Sequence, residues 1–424
     1  MILTKHQTYC LNKSLHILEN GNRLLIKGSA GVGKTTLLNF LVKNIYPQLK
    51  YFDRISCTAP TNKAVFVLKQ KIINLDKVDF LTIHAAFKIK GKINQETGEL
   101  SFNPQEDLKT LRNVKYLIID EASMLDTQFL IQIEKSCKNI KIIFVGDDKQ
   151  LNPVGEDDSP VFMGHKFKEF DYPTVELKEI VRQKDKSPII ELSNNLNQIY
   201  KKQNNLLEIE EVTTGYLFTG NKNKVLEALA QNNGKEGLKY LAWTNREVNY
   251  INKTVRELIY KNPQKIEKGE RLIFNRPYQE TYYTNEEIEV KELVINDKSY
   301  YYYHENKRLK TILKYYEIDA ENNSVKIKVI HENSEKDFTK ACKHFKNSCF
   351  NKTAKWEEYY DFIGNFADIK YCHAISIHKS QGSTYNKVII NINDIELNKN
   401  LKEKKRLLYT AITRASDLVI LYNS

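Results

Sequence analysis

Eight residues near the start of the chain, Gly28-Ser29-Ala30-Gly31-Val32-Gly33-Lys34-Thr35, match G-x-x-x-x-G-K-[ST] at every fixed position. Each residue type has a physical task in that pattern. Glycines let the backbone turn its N–H groups toward phosphate oxygens, Lys34 reaches the terminal phosphates of ATP, and the Thr35 hydroxyl, with Thr36 behind it, is placed to ligate Mg²⁺. A second signal lies downstream, where the apolar run Val114 to Ile119 ends in Asp120 and Glu121. Asp120 is suited to hold the same Mg²⁺, largely through water, and Glu121 to polarise an attacking water. A third run, Lys141 to Val145, delivers Gly146-Asp147-Asp148-Lys149-Gln150, whose Gln150 is a candidate sensor of the terminal phosphate. Acids that merely cap a following helix explain this set poorly, because the phosphate loop lies upstream of them.

The elements that must position these groups are legible from periodicity. Arg23 to Lys27 reads as a short buried strand entering the loop, and Thr36 to Val42 as the helix leaving it. Ahead of them, Leu11, Leu15 and Leu18 form one face of a helix that begins near Thr4-Lys5-His6-Gln7. Gln7 has two readings: a capping-box partner of Thr4, which the spacing favours, or a glutamine that reads adenine. Ile55 to Ala59 reads as a strand ending in the turn Pro60-Thr61, with a helix from about Asn62. In an open α/β sheet such a turn lies at the carboxyl end of a strand, where ligands bind.

With 424 residues the chain is too long for one core and should hold two or more domains. Its 41% hydrophobic content suits a globular protein, and no apolar run has membrane-spanning length, so neither membrane nor export is expected and the expected location is the cytoplasm, that of the host if the source is viral. Six scattered cysteines suggest free thiols, and Cys342, His344 and Cys349 lack a second pair at zinc spacing. The net charge of +12 agrees with a polyanionic partner but is by itself weak evidence, since a charge excess is most often a solvated face.

Further along, Thr82-Ile83-His84 has the character of a surface segment able to touch a nucleic-acid strand, although a lone histidine is more often structural. Alternation on both sides of a Gly-containing turn predicts a β-hairpin over about residues 87–104, with Phe102 on its flank. As a wedge or as decoration the hairpin reads equally well. After Leu177, a helix beginning at Pro188, the strand Tyr240 to Trp243 with its exit at Thr244-Asn245, and the helix marked by Val248, Ile251, Val255 and Ile259 form a second α/β layer. From about Lys261 to Lys370 the texture turns to short β-like runs. Tyr300 to Tyr303 amid lysines invites base stacking, but alternate tyrosines in a strand are more often half core and half surface.

The ordered series GSAGVGKT, APTNKA, TIH, DEAS, GDDKQLNPV, VRQ, IHKSQGST and YTAITRA resembles superfamily 1 DNA helicases of the RecD-like branch along nearly the whole chain. The resemblance implies an α/β fold of two RecA-like P-loop domains, with a β-hairpin insertion in the first and a small β-rich, SH3-like insertion in the second. The expected boundaries are 1–178 for the first domain, 179–260 with 368–424 for the second, and 261–367 for the insertion. It implies that Gln7 reads adenine, that Gln381 and Gly382 join the nucleotide site, and that Arg182 and Arg414 act as arginine fingers. Pro60, Thr61, Thr82 and His84 would touch a DNA strand on one side, Thr244, Asn245, His378 and Lys379 on the other, and the hairpin near Phe102 would split the duplex.

The function so implied is ATP-dependent translocation on single-stranded DNA, 5′ to 3′ by branch, with unwinding of duplex junctions. The expected partners are DNA and replication or single-strand-binding proteins, with a monomer as the active form. A P-loop phosphotransferase is the first rival, but it leaves Gln381, Gly382 and Arg414 without a task. An ATP-driven translocase or remodeller that does not separate strands shares the motif set and stays open.

Overall fold

A computed structural model describes residues 2–73, 75–88, 90–93, 100–103, 109–153, 155–164, 170–179, 188–196, 214–234, 237–279, 281–304, 307–320 and 325–423. Six strands form one parallel sheet, in the spatial order Val78–Thr82, Arg54–Ala59, Val114–Ile119, Lys141–Gly146, Arg23–Gly28 and Thr174–Leu177. Parallel strands need crossovers that cover both faces, so these strands read as apolar runs and not as alternating ones. Leu24, Ile26, Ile143 and Val145 enter one core, while Leu25, Ile142 and Phe144 enter the core on the opposite face.

Because every strand points the same way, all the loops at their carboxyl ends fall on one edge. That edge carries the phosphate loop after Gly28, Pro60 after Ala59, Asp120 after Ile119 and Asp147 after Gly146. A second parallel sheet of five strands runs Ala374–Ser376, Leu238–Ala242, Tyr385–Asn391, Ala415–Tyr422 and Gly215–Thr219. Its faces are also both buried: Val388, Ile390, Val419 and Leu421 face one core, and Ile389, Leu418 and Ile420 the other. The expected α/β architecture of two RecA-like units is therefore present.

The hairpin of the first unit pairs Lys90–Ile93 with Leu100–Asn103, Gly91 lying opposite Phe102. The insertion is an antiparallel sheet built on a long ribbon, Glu287–His304 with Lys307–Ala320. The short β-like runs expected there are incomplete as a description, since the helices Glu335–Phe350 and Trp356–Gly364 also belong to this stretch. Ala341, Phe345 and Cys349 recur at helical spacing and pack on Tyr300, Tyr302, Leu313 and Tyr315, giving the far half of the ribbon a core of its own. The tyrosine run divides as a strand must: Tyr300 and Tyr302 are buried, and Tyr301 is 49% exposed beneath the Arg308 guanidinium.

The insertion is tied to the second unit by buried charge. Arg256 pairs with Glu270 and lies 3.9 Å over the Tyr371 ring, and Lys239 binds Glu287 at 2.9 Å. All six cysteines are free, as expected. Among the described residues no cluster of three metal-ligating side chains occurs, and no helix is long and apolar enough to cross a membrane.

Candidate nucleotide site and strand-binding loops

The phosphate loop has the backbone its glycines predict. Gly31 and Gly33 adopt φ of +83° and +84°, in the left-handed region that a side chain penalises, and a Cβ on Gly28 would lie 2.7 Å from Val32 Cγ2. Lys34 opens the helix Lys34–Ile45, which places Thr35 and Thr36 in its first turn, and its Nζ donates to the Gly28 and Ser29 carbonyls at 2.7 and 3.1 Å. To reach a phosphate the ammonium exchanges those two carbonyls for the anion.

Gln7 makes the cap that its spacing favours. Thr4 and Gln7 form a complete capping box, and the Gln7 Nε2 donates to the Val32 carbonyl at 3.3 Å. The same buried amide thus caps the first helix and braces the phosphate loop, and a Cβ on Gly33 would run into it at 2.5 Å.

Asp120 extends its strand by donating its N–H to Thr58 O at 2.9 Å, and its Oδ1 accepts the Glu121 N–H at 2.9 Å. Burial, then the neighbouring Glu121 charge, pushes the Asp120 carboxyl above the usual carboxylate range, with Lys34 opposing. Glu121 sits at φ +51°, a left-handed conformation held by the sharp turn that ends the strand. Gln150 is 3% exposed, and its Oε1 is buried without a hydrogen-bond partner among the described residues.

The second unit meets this edge through its last helix, Leu401–Ile412. The Tyr409 hydroxyl accepts the Ala30 N–H at 2.9 Å and donates to Asp147 Oδ2 at 2.6 Å. Thr410 Oγ1 accepts the Leu151 N–H at 3.2 Å, Arg406 donates to the Gln150 carbonyl at 2.8 Å and to Asn152, and Gln381 Nε2 donates to the Leu151 carbonyl at 3.4 Å. Beside these contacts a cleft of about 230 Å³ opens between Ala30 and Gly31 on one wall and Ile189, Ser193, Thr384, Thr413 and Ala415 on the other.

Other expected members stand further off. Arg414 spends its guanidinium on the Thr410 and Ser383 carbonyls and the Thr413 hydroxyl, at 3.2, 3.2 and 3.3 Å, so it is buried against its own unit while its neighbours Thr413 and Ala415 line the cleft. Gly382 was expected at the nucleotide. It lies against the first unit's Thr61 and Ala64, where its φ of +71° and the lack of a side chain permit the approach. Arg182 lies outside the described residues.

The candidate strand contacts fall on loops at the carboxyl ends of both sheets. Thr61, Thr82 and Thr244 each cap the helix that follows, and Pro60 is half-buried beside Thr61. His84 is exposed and stacks on Phe129, ring centroids 6.2 Å apart. Asn245 is exposed in the first turn after Thr244, whose hydroxyl donates to Asp394 at 2.6 Å. His378 and Lys379 form a short 3₁₀ turn, and Lys379 donates to Asn275 from the insertion. For Phe102 only the backbone position is described.

Sequence reasoning missed Tyr409, Asp147, Arg406 and Asp394. Tyr409 and Arg406 lie in or beside the YTAITRA segment, but nothing local marks what they touch across 200 or more positions.

Two family profiles match the chain: an AAA domain over residues 5–211 and a UvrD-like helicase C-terminal domain over residues 371–422. The ATP-dependent DNA helicase dda of Enterobacteria phage T4 is 25% identical over 441 residues, covering 94% of each chain. An uncharacterized protein, R530, of Acanthamoeba polyphaga mimivirus is 28% identical over 494 residues, covering 98% of this chain and 99% of its own. Among solved structures, a Bacteroides Pif1 helicase in complex with ADP-AlF3 and ssDNA superposes with a TM-score of 0.52 at 18% identity, covering 99% of this chain and 92% of that one. Two parallel units, one phosphate loop and a matching C-terminal profile define the class, an ATP-binding helicase of superfamily 1. Within it the chain resembles Dda, and over 46% of its length it is 30% identical to the ATP-dependent DNA helicase PIF1 of Candida albicans, covering 22% of that protein.

Proposed function

We propose that this helicase couples ATP hydrolysis to 5′-to-3′ movement along single-stranded DNA and separates duplex DNA ahead of it. The observation that carries the reading is a convergence: the phosphate loop, Asp120–Glu121 and the Gln150 turn come from one sheet edge, and the helix bearing Arg406 and Tyr409 meets the loop and the turn from the other unit. The assigned domains are 1–178, then 179–260 with 368–424, and the insertion 261–367.

Backbone N–H groups of the loop and the Lys34 ammonium would cradle the phosphates, and Gln7 would lie at the adenine end. Thr35 and Asp120 offer the hard oxygen donors that suit Mg²⁺, and the raised Asp120 carboxyl is a group whose charge a cation would stabilise. Bound Mg²⁺ supplies charge neutralisation at the phosphates. Glu121 would take a proton from the attacking water, and the orphaned Gln150 Oε1 would accept that water's other hydrogen. Arg182 and Arg414 would stabilise the transferring phosphoryl, Arg414 once freed from its resting contacts, an effect worth roughly 10³–10⁵ in rate.

The strand would run over Pro60, Thr61, Thr82 and His84 and then Thr244, Asn245, His378 and Lys379. Opening and closing of the cleft would shift grip from one set to the other. The hairpin carrying Phe102 would meet the duplex junction.

Duplexes bearing a single-stranded tail at the 5′ or the 3′ end test this, with Lys34→Ala as the blank. ATP-dependent opening of the 5′-tailed substrate alone is expected. Opening from the 3′ tail would overturn the polarity, and strand-stimulated hydrolysis with no opening would make the protein a translocase or remodeller.

A further inference from the structure

We infer that Tyr409 is a positioning residue for hydrolysis, one phenol from the second unit that holds the phosphate loop and the Gln150 turn in register with each other. The inference rests on the reading of the cleft as an ATP hydrolase.

The geometry is specific. Tyr409 is 2% exposed, and its oxygen is shared between two groups of the first unit that do not otherwise touch each other in the hydrogen-bond network described here. Toward the loop it accepts the N–H of Ala30, the third residue of the phosphate loop. Toward the turn it donates to Asp147 Oδ2, while Asp147 Oδ1 accepts the Lys149 N–H at 3.0 Å and so shapes the turn that carries Gln150. Asp147 is fully buried, which makes the phenol its means of solvation on that oxygen.

Burial and the Asp147 charge push the Tyr409 hydroxyl up, so it stays protonated and can serve both partners at once. The other contacts from the second unit act elsewhere. Thr410, Arg406 and Gln381 hold the backbone of Gln150 and Leu151 against the second unit, but none of them reaches the phosphate loop. The phenol joins the Ala30 N–H of the loop to Asp147 directly, beside the ion pair of Lys27 with Asp148 at 2.7 Å. A shift of about 1 Å between the loop that holds the phosphates and the side chain that orients the water is enough to cost on the order of 10²-fold in rate. Docking of the second unit would thus set the spacing on which hydrolysis depends.

Tyr409→Phe removes the oxygen and keeps the ring. Asp147→Asn keeps an oxygen for the Lys149 N–H and turns its amide group toward the phenol, breaking the bond that the phenol donates. DNA-stimulated ATPase is measured for wild type, both single variants and the double variant, with Lys34→Ala as the blank and a melting curve for each. The expected result is a fall of about tenfold in kcat for Tyr409→Phe with KM for ATP within about twofold of wild type. The double variant should be no worse than the poorer single one, because both substitutions break one bridge.

An unchanged kcat would overturn the inference, as would a raised KM at constant kcat, which makes Tyr409 a binding group. Fold-changes that multiply in the double variant, or a loss that tracks the folded fraction in the melts, would also overturn it. If wild type itself hydrolyses no ATP above the blank, the reading of the site fails, a result distinct from a Tyr409→Phe enzyme that matches an active wild type.

Discussion

Gly382 and Ala64 belong to different units, yet a Cβ on Gly382 would lie 3.3 Å from the Ala64 Cβ and 3.1 Å from Thr61 Oγ1. The loop after the strand Ala374–Ser376 therefore presses its backbone directly on the turn after Arg54–Ala59. One cation–π contact reinforces the seam, with Lys63 Nζ 4.5 Å from the Tyr385 ring. Of the residues expected to grip a strand, Pro60, Thr61, His378 and Lys379 thus lie in the two segments that meet at this seam.

Gly382→Ala tests that seam. The alanine would occupy a left-handed backbone, at a cost of roughly 1–2 kcal/mol, and would push against Thr61 and Ala64. DNA-stimulated ATP turnover is expected to fall about tenfold while the melting temperature drops by only a few degrees. Titration with single-stranded DNA reads the first quantity, and turnover equal to wild type would mean that the approach is incidental.

Lys34→Ala and Glu121→Gln separate binding from chemistry. Lys34→Ala should abolish hydrolysis and leave DNA affinity within about threefold, measured by fluorescence anisotropy. Glu121→Gln should retain ATP and lose on the order of 10²-fold or more in kcat, the size of a missing general base. Parallel loss of DNA binding in either variant would indicate a folding defect instead.

Phe102→Ala should lower the unwinding rate by more than it lowers DNA-stimulated ATPase. Its place opposite Gly91 in a two-stranded hairpin suits a wedge, because a short antiparallel arm projects without a sheet around it. Equal losses in the two assays would remove the wedge assignment.

Arg256 and Glu270 form a buried pair with side chains 7% and 1% exposed, and burial pushes the Glu270 carboxyl up against the pull of Arg256. Removing one partner leaves an uncompensated buried charge. Arg256→Met is expected to cost about 3–5 kcal/mol in urea unfolding, and Arg256→Met with Glu270→Met to cost less than the single change. Additive losses would show that the two groups act independently.

His373 gives the stability a pH dependence. Burial, then the charges of Lys239 and Arg256, lowers its pKa to about 4, and neither ring nitrogen has a hydrogen-bond partner among the described residues. The unfolded chain binds the proton near pH 6.5, so its contribution is complete above that value and is lost as pH falls toward about 4. The loss amounts to at most about 3 kcal/mol. Denaturation curves across that range should show a shallower slope for His373→Phe than for wild type.

Chemistry that depends on contiguous residues was legible in the amino-acid sequence alone. Gly31 and Gly33 announced a loop whose N–H groups turn toward phosphate, Lys34 and Thr35 the groups that meet it, and the apolar run before Asp120 a buried strand. Thr4 and Gln7 announced a helix cap because both members lie within one turn. These features arise from backbone conformation and local hydrogen bonding, which a few neighbouring residues decide.

Tertiary structure alone decided what meets across the cleft. Ala30 and Tyr409 are 379 positions apart, and no periodicity links them. Gly382 was expected in the nucleotide site by resemblance, and only packing shows that a Cβ there would crowd Thr61 Oγ1 at 3.1 Å. Arg414 carries the same charge in any fold, but its resting bonds to Thr410 and Ser383 depend on how the last helix meets its sheet. Residue type sets what a group can do, and the closure of long chain segments on one another sets what it can reach.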